Sequence, residues 1–334
     1  MSRKATHAVK AKKKNYWPRR IMAALLLVLV GVACYLGYLV YVSKNALDDI
    51  TTDADPTVVI APEQSVKVKP VALMLLGMDT RKETGSLNTD VMMIAAMNPK
   101  TKSAVVVSIP RDSRIALSGY NTRKANAYYA KFIQQEKKDG LKSKEAEQQA
   151  KKDLRAMFGK FFDIPIDYTA TINFQGFSDV VDALGGVTVD VDMDMHYVDN
   201  ADGTKINLSK GLQKLNGDDA LDFVRYRKSN DGKNMSSDFD RNRRESQVLG
   251  QIADKLKSFS GVTKIGGVIK AVGNNLRMDI PTGEVENLMK TYYGIGAGDI
   301  TFIPLEGTWK SPYVYLDEAK LQAAKDALRA KLAE

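Results

Sequence analysis

Apolar positions along the chain form one long uninterrupted run near the amino terminus. Residues 21–42 contain no charged side chain. As a helix they span about 33 Å at ~1.5 Å per residue, which matches a hydrocarbon core of roughly 30 Å. Trp17 and Tyr41 lie near the two ends of the run, where amphipathic rings favour the membrane interface. This pattern predicts a transmembrane helix at 21–42.

After this run, short apolar stretches alternate with segments of helical period. The apolar stretches predict strands at 71–76, 91–97, 104–109, 168–172, 187–191 and 300–303. Helices are predicted at 122–138, 143–162, 177–184, 216–224, 239–259, 262–272, 282–293 and 316–332. Because strands alternate with helices, the predicted fold class is α/β, an α/β/α sandwich around a mixed central sheet, preceded by one transmembrane helix.

Composition separates the long run from the first strand. Residues 43–69 carry acids, Thr, Pro56 and Pro62, with little helical periodicity. This composition predicts an extracellular stalk at 43–69, followed by one extracellular domain at 70–334. The chain is 44% hydrophobic, which is ample for a packed core in that domain.

The positive charge of the chain is concentrated in its first 20 residues. The formal net charge is +9, and residues 1–20 contain eight Lys or Arg and no acid. The remaining 41 basic and 40 acidic residues nearly cancel, so nucleic-acid binding is disfavoured. The positive-inside rule predicts a single-pass protein of the cell membrane, with residues 1–20 as a cytoplasmic tail and the C-terminal domain outside. The tail suits contact with anionic lipid.

Two alternatives to an uncleaved anchor stay open. A signal peptide has a shorter apolar run followed by a small-residue cleavage site, whereas this run continues through Tyr41. The sequence before Cys34 resembles a lipoprotein site, but the residues after it remain apolar. Cys34 is the only cysteine, so no disulfide is expected in the external domain. The uncleaved anchor is favoured.

Polar residues with candidate chemistry stand at the ends of the first three predicted strands. Asp79 and Arg81 follow the first strand, Asp90 precedes the second, and Arg111 ends the third. If the first and third strands are parallel and the second antiparallel, these groups converge on one sheet edge, where open α/β folds bind ligands. Two carboxylates without histidine suit Mg²⁺, or Mn²⁺ in its place. Turn or capping chemistry is the alternative for each aspartate alone.

A dense group of cations lies between residues 225 and 244. Helical and extended spacing puts Arg225, Arg227, Arg241 and Arg244 on one face, with Arg243 turned away. Arginine binds phosphate oxygens in bidentate fashion. Four such charges repel each other without an anion, and a diphosphate is the simplest one that satisfies them. The alternative is a solvated surface paired with neighbouring acids.

Sequence patterns of the common hydrolases are absent. The chain contains no GxSxG, HExxH or P-loop motif. His196 is the only histidine after the long apolar run, and we interpret it as a surface residue.

Seven motifs, in this order, resemble the LytR-CpsA-Psr family over roughly residues 70–260. They are Leu76-Gly-Met-Asp-Thr-Arg81, Thr89-Asp90, Ser108-Ile-Pro-Arg-Asp112, Lys124-Ala-Asn126, Leu215-Asn-Gly-Asp-Asp-Ala220, Phe223-Val-Arg-Tyr-Arg227 and Asp238-Phe-Asp-Arg241. The short basic tail, single span and external domain are also typical of that family. Each motif alone is weak, and their order makes the resemblance specific.

The resemblance implies a wall-assembly transferase. Its substrates would be a glycopolymer linked to undecaprenyl pyrophosphate, with the lipid in an apolar channel, and peptidoglycan at the membrane of a Gram-positive cell. The products would be a phosphodiester and lipid monophosphate. A non-catalytic polyprenyl-phosphate scaffold or regulator, and a pyrophosphatase that uses water as acceptor, are the alternatives.

The resemblance also assigns roles to residues. Asp79 and Asp90 match the Mg²⁺-associated acids. Arg111, Arg225, Arg227 and Arg241 match the pyrophosphate ligands. Further ligands of the pyrophosphate are predicted at Arg81, Lys124, Arg244 and Gln247. The family usually has Gln at the position of Glu245, and Gln247 replaces it only if the helix is rotated. Independently of the resemblance, Asp238 is the carboxylate nearest in sequence to the arginine cluster that is not assigned to metal, which makes it the predicted catalytic base beside Arg241. Capping of the helix by Asp238 is the alternative.

Overall fold

A six-stranded mixed sheet organises the part of the chain that the computed structural model describes. The described residues are 45, 47–55, 57–79, 88–200, 203–258 and 268–334. The predicted tail at 1–20, the predicted transmembrane helix at 21–42 and Arg81 lie outside them. None of the helices within these ranges combines the length and apolarity needed to cross a bilayer. The described residues belong to one compact unit, Asn45–Glu334.

The sheet order confirms the predicted arrangement of the first three strands. The sheet contains β1 (Val71–Asp79), β2 (Asn88–Asn98), β3 (Ser103–Ser108), β6 (Tyr168–Asn173), β11 (Leu276–Met278) and β12 (Ile300–Pro304), in the order β11-β6-β1-β2-β3-β12. Because β2 runs antiparallel to both β1 and β3, β1 and β3 are parallel to each other. β6 and β12 are parallel to their neighbours β1 and β3.

Helices cover both faces of the sheet, as the predicted α/β/α sandwich requires. The helices that lie wholly within the described ranges are α1 (Ala127–Lys138), α2 (Ser143–Phe162), α3 (Phe174–Ala183), α4 (Gly217–Arg225), α5 (Asp238–Lys257), α6 (Thr282–Thr291) and α7 (Glu318–Ala333). Side chains alternate between faces along a strand. Met74 and Leu76 therefore pack with Phe158 of α2 and Leu328 of α7. On the opposite face, Leu249 of α5 packs against the cluster around Met93.

Eight short strands in the described residues lie outside the central sheet, and the sequence patterns predict only one of them. They form two-stranded pairs: β4 (Arg114–Ile115) with β5 (Arg123–Lys124), β7 (Val187–Val191) with β10 (Gly211–Leu215), β8 (Met195–Val198) with β9 (Lys205–Leu208), and β13 (Gly307–Lys310) with β14 (Tyr313–Leu316). Only β7 was predicted. The β4–β5 pairing also explains why α1 begins at Ala127 and not at the predicted residue 122.

The predicted stalk is wrong for the described residues of 43–69, which pack onto the domain. Leu47 and Ile50 are buried against the α6 region. The carboxylate of Glu284 accepts hydrogen bonds from Ser65 Oγ at 3.0 Å and Val66 N at 2.7 Å. The folded unit therefore begins at Asn45 and not near residue 70.

The polar composition of this segment misled the prediction, because its partners are distant in sequence. Asp53 forms an ion pair of 2.5 Å with Lys151, a buried residue of α2. Because Lys151 neutralises the Asp53 carboxylate, this acidic segment can be buried against the domain without an unpaired charge. Local composition carries no information about such a partner.

Candidate functional site

An irregularity in the pairing of β1 and β2 directs Asp90 toward one face of the sheet. Gly77 is opposite Val91 and Met78 is opposite Thr89, so Asp90 is an extra residue on β2. In a regular strand Asp90 would share the face of Met92, which is buried in the core. A β-bulge re-aims side chains in this way. Asp90 instead lines the same cavity as Val91 and Met93.

The same irregularity requires glycine at position 77. A Cβ added to Gly77 would lie 2.8 Å from Cβ of Val91, a distance that side chains do not tolerate. The close approach of β1 and β2 therefore depends on the Leu-Gly-Met-Asp sequence at the end of β1. Asp79 ends this strand, is buried and lines the cavity on the face of Leu75.

A cavity of about 750 Å³ collects most of the predicted site residues. Those that line it are Asp79, Asp90, Arg111, Arg225, Arg227 and Arg241. Its other walls are largely apolar and include Leu75, Met93, Ile172, Phe174, Phe177, Leu221 and Leu249. A cluster of cations beside an apolar wall suits a ligand with an anionic head and a hydrocarbon tail.

Arg111 connects the aspartates to the arginines. Its Nη1 donates a hydrogen bond of 2.8 Å to Asp90 Oδ1. Its Nε is buried and has no hydrogen-bond acceptor among the described residues, with Asp112 Oδ2 at 3.9 Å. A buried donor of this kind is costly unless it is satisfied, so Arg111 retains capacity for a further acceptor.

The three arginines from the second cluster, Arg225, Arg227 and Arg241, add positive charge to the cavity wall. The Arg225 guanidinium carbon lies 4.5 Å from the centroid of the Phe174 ring. Partial burial and the neighbouring Arg111 and Arg227 charges lower the pKa of Arg241 to about 10. The pKa of Arg227 is also lowered, first by desolvation against the cavity wall and then by the positive charge of Arg111. Both stay charged at neutral pH, and an anion would relieve their repulsion.

Glu245 lies on the same face of α5 as Arg241 and lines the cavity. Burial raises the pKa of Glu245 to about 8, and the opposing effect of Arg241 is partly offset by the charge of Asp90. At neutral pH Glu245 is therefore mainly a neutral carboxyl. A neutral carboxyl can donate a hydrogen bond to a phosphate oxygen, as an amide side chain does. Glu245 was not among the residues predicted from sequence to bind phosphate, because an ionised acid beside a diphosphate would be repelled.

Arg244 does not join the phosphate-facing arginines, contrary to the prediction. Its guanidinium forms two hydrogen bonds to Asp192, at 2.7 and 2.8 Å, and a third of 2.9 Å to Ser236 Oγ. It is buried, whereas Arg243 is exposed and pairs with Asp240. Helical spacing correctly separated Arg243 from its neighbours but could not identify Asp192, a residue 52 positions away, as the partner of Arg244.

Two further predicted ligands lie away from the cavity walls. Lys124 forms an ion pair of 2.9 Å with Asp112, and its Nζ lies 5.6 Å from the Trp309 ring centroid. Gln247 follows Glu245 by two residues, roughly 200° around the helix at 3.6 residues per turn. Gln247 does not line the cavity, whereas Glu245 does. The helix α5 is therefore not rotated so as to put Gln247 in the place of Glu245.

Asp238 is the first residue of α5 and forms an ion pair with Arg241. The cap of this helix is Ser237, whose side chain accepts a hydrogen bond from Asp240 N. The capping alternative for Asp238 is therefore wrong. Asp238 stands beside the arginine cluster and remains a candidate base.

The donor set at the sheet edge fits a hard divalent cation. Asp79 and Asp90 line one cavity, and Mg²⁺ is commonly held by one or two carboxylates together with phosphate oxygens and water. No group of three or more His, Cys, Asp or Glu in the described ranges could hold a metal ion by itself. His196 is exposed, and its Nδ1 lies 2.8 Å from Asn207 Oδ1, which confirms it as a surface residue.

Comparisons with known proteins agree with this geometry. The model of the LytR_cpsA_psr family matches residues 37–330. A relative from Bacillus mycoides (strain KBAB4), named polyisoprenyl-teichoic acid–peptidoglycan teichoic acid transferase TagU, is 30% identical over 96% of this chain and 98% of its own. The crystal structure of B. subtilis TagV has a TM-score of 0.62 at 28% identity, covering 79% of this chain and 98% of that one. The family protein YwtF (TagT) with bound octaprenyl pyrophosphate lipid has a TM-score of 0.56 at 25% identity, covering 80% and 92%.

Proposed function

The chain belongs to the LytR-CpsA-Psr family, and we propose that it transfers a glycopolymer from a polyprenyl pyrophosphate carrier to a hydroxyl of peptidoglycan. The names of its relatives support a transferase role. The carrier proposed is undecaprenyl pyrophosphate, and the products are a phosphodiester and lipid monophosphate.

One observation carries this proposal: four arginines and an apolar wall share one cavity. Arg111, Arg225, Arg227 and Arg241 line it together with Leu75, Phe177 and other apolar side chains. A diphosphate satisfies the arginines through charge-assisted hydrogen bonds. The isoprenoid chain fits the apolar wall, where its burial is favourable. A soluble nucleotide or sugar phosphate would use only the charged part.

We further propose that Asp79 and Asp90 hold Mg²⁺ or Mn²⁺ in the loaded enzyme. When bound, the cation would neutralise negative charge on the diphosphate oxygens. Arg111 would then exchange its bond to Asp90 for the phosphate, because a carboxylate that ligates a cation is a weaker acceptor for arginine.

The chain's own residues account for the remaining needs of the reaction. The acceptor oxygen forms a bond to the phosphorus that bears the sugar, and the bond from that phosphorus to the bridging oxygen breaks. Charge develops on the phosphoryl oxygens and the leaving lipid phosphate, where Arg225, Arg227 and Arg241 would stabilise it. Asp238 is the proposed acceptor of the hydroxyl proton. Glu245 is unsuited to that role, since a bound diphosphate would raise its pKa further and keep it protonated.

Residues 21–42 are proposed to anchor the enzyme in the cell membrane, with residues 1–20 in the cytoplasm. A substrate linked to a membrane lipid supports this arrangement. We expect the mature protein to retain residue 1 and to resist alkaline extraction from membranes. Amino-terminal sequencing that begins at position 34 or later would contradict the anchor.

Reconstitution tests the proposed function directly. The purified full chain, in detergent, is mixed with a polyprenyl-pyrophosphate-linked polymer, peptidoglycan and Mg²⁺. We expect polymer to become covalently attached to the peptidoglycan. Retention of the lipid without any attachment would instead support a scaffold.

A further inference from the structure

A short hairpin beside the cavity exposes two large aromatic side chains. It consists of β13 and β14, in which Trp309 is opposite Val314 and Tyr315 is opposite Thr308. Trp309 is 52% exposed and Tyr315 is 41% exposed. Val314 is buried beneath the hairpin. The strands are four residues each. Because opposed residues of an antiparallel pair share a face, Trp309 lies on the face of Val314, whereas Tyr315 lies with Thr308 on the other face.

Cations flank both aromatic rings. Lys124 Nζ lies 5.6 Å from the Trp309 ring centroid. The guanidinium carbon of Arg114 and the Nζ of Lys310 each lie 5.6 Å from the Tyr315 ring centroid. Each cation is within the range of a cation–π interaction. Each face of the hairpin therefore carries one aromatic ring with positive charge beside it. An extended partner with ring faces and anionic groups could contact both faces across the edge of this narrow ribbon.

The hairpin is connected to the candidate site by direct contacts. Val314 N donates a hydrogen bond of 2.9 Å to the carbonyl oxygen of Asp112. The Asp112 carboxylate pairs with Lys124 at 2.9 Å and lies 3.9 Å from Arg111 Nε. Arg111 lines the cavity. A partner on the hairpin would thus sit next to the residues that hold the diphosphate.

We infer that the hairpin of residues 307–316, together with Lys124 and Arg114, binds the peptidoglycan acceptor strand. This inference rests on the proposed function. Pyranose rings have apolar C–H faces that pack on aromatic side chains, and the stem peptides of peptidoglycan carry carboxylates that the cations attract. Lys124 was predicted to bind the pyrophosphate. Its position beside Trp309 assigns it to the acceptor surface instead.

Peptidoglycan fits this surface better than two other partners. The chain of a polyol-phosphate polymer has negative charge but no sugar ring faces. A membrane surface would also attract the cations and the aromatic rings, but interfacial binding scales with the apolar area that is buried, and this hairpin has no broad apolar face. The exposed neighbours on the hairpin are Thr308, Ser311 and Pro312. Both partners serve as arms of the test.

Trp309 provides its own optical reporter. The chain contains two tryptophans, Trp17 and Trp309, so Trp17→Phe in the full chain leaves Trp309 as the only one. The protein in detergent micelles is titrated with soluble peptidoglycan fragments of several disaccharides with stem peptides. We expect a saturable change in fluorescence. No saturable change, or an equal response to free polyol-phosphate polymer or to anionic phospholipid vesicles, would overturn the inference.

Variants locate the contact. Tyr315→Ala and Lys310→Ala should each weaken fragment binding by roughly tenfold, as for a central contact in an interface. Tyr293 is 47% exposed on another part of the domain, and Tyr293→Ala is the matched control with unchanged binding. Circular dichroism confirms that each variant is folded. Equal affinity in all three variants would contradict the assignment.

A transfer assay separates this inference from the proposed function. Tyr315→Ala should raise the KM for peptidoglycan while the amount of co-purified polyprenyl phosphate stays unchanged. If the wild-type chain retains no lipid and transfers nothing, the proposed function fails, whatever the fluorescence titration shows. If the wild type transfers polymer and Tyr315→Ala has an unchanged KM, only the acceptor surface is wrong.

Discussion

Arg111 donates a hydrogen bond of 2.8 Å to Asp90, and this contact joins the proposed metal acids to the proposed phosphate ligands. Arg111 follows the end of β3, and Asp90 is the extra residue of the bulge in β2. In the absence of substrate each neutralises the other. Binding of a cation and a diphosphate would exchange this pair for two stronger partners, so the two ligands should bind cooperatively.

The metal acids give the first prediction. Asp79→Ala and Asp90→Ala should each abolish transfer while leaving the far-ultraviolet circular dichroism spectrum unchanged, because both carboxylates line the cavity and neither belongs to the hydrophobic core. Excess chelator added to the wild type should have the same effect, and Mg²⁺ should reverse it. Full activity of the wild type in chelator would remove the metal from the account.

Lipid retention tests the arginine cluster. Arg225→Ala and Arg227→Ala should each weaken diphosphate binding by roughly ten- to a hundredfold, because a charge-assisted contact contributes on the order of 1.5–3 kcal/mol. The polyprenyl phosphate that co-purifies is measured by mass spectrometry. Arg243→Ala is the control, since Arg243 is exposed and pairs with Asp240 outside the cavity. Equal lipid in all variants would disprove the assignment.

Arg244 should behave as a structural residue. It is buried and holds Asp192 through two hydrogen bonds. Arg244→Ala should lower the free energy of unfolding by about 2–3 kcal/mol, near the low end for a broken ion pair because Asp192 is partly exposed. Urea denaturation measures this change. A variant of normal stability that has lost its lipid would return Arg244 to the phosphate site.

The raised pKa of Glu245 predicts a dependence on pH. Its pKa is about 8 in the folded protein against an ordinary value of 4.5, so the folded state binds more protons than the unfolded state between these values. Stability therefore decreases as pH rises from about 4.5 to 8. Glu245→Gln should remove this decrease and raise the free energy of unfolding by on the order of 2 kcal/mol at pH 7.

Denaturation with chelator present, at pH 5 and at pH 8, measures this effect. The stability difference between Glu245→Gln and the wild type should be small at pH 5, where both side chains are neutral, and large at pH 8. The variant should also transfer polymer normally at pH 7. Loss of transfer in Glu245→Gln would make Glu245 the base in place of Asp238.

The sequence identified the residues whose position depends on strand order. Asp79, Asp90 and Arg111 lie at or just beyond the ends of the first three strands. Because these neighbouring strands alternate in direction, the three residues meet at one edge of the sheet. It did not identify the bulge that turns Asp90 toward the cavity, since the bulge depends on the contact of Gly77 with Val91. Spacing along a strand therefore predicts which residues lie at the same sheet edge better than it predicts the direction in which each side chain points.

Residues with distant partners were beyond the reach of local patterns. Arg244 has the same helical face as Arg241 by spacing, but Asp192 holds it in the interior. The sequence around Asp53 resembles a polar linker, and only the fold shows that Asp53 forms an ion pair with Lys151. The protonation of Glu245 likewise depends on burial and on the charges of Asp90 and Arg111, two residues that are distant in sequence.

The fate of the transferred phosphorus distinguishes transfer to peptidoglycan from hydrolysis and from simple retention of the lipid. A lipid-linked polymer is labelled with ³²P only in the phosphate that bears the sugar and is incubated with the full chain, Mg²⁺ and peptidoglycan. The account predicts that the label enters peptidoglycan in a phosphodiester and that the released lipid monophosphate is unlabelled. Label that stays with the lipid, or that appears in solution as a free sugar phosphate, would contradict transfer to peptidoglycan.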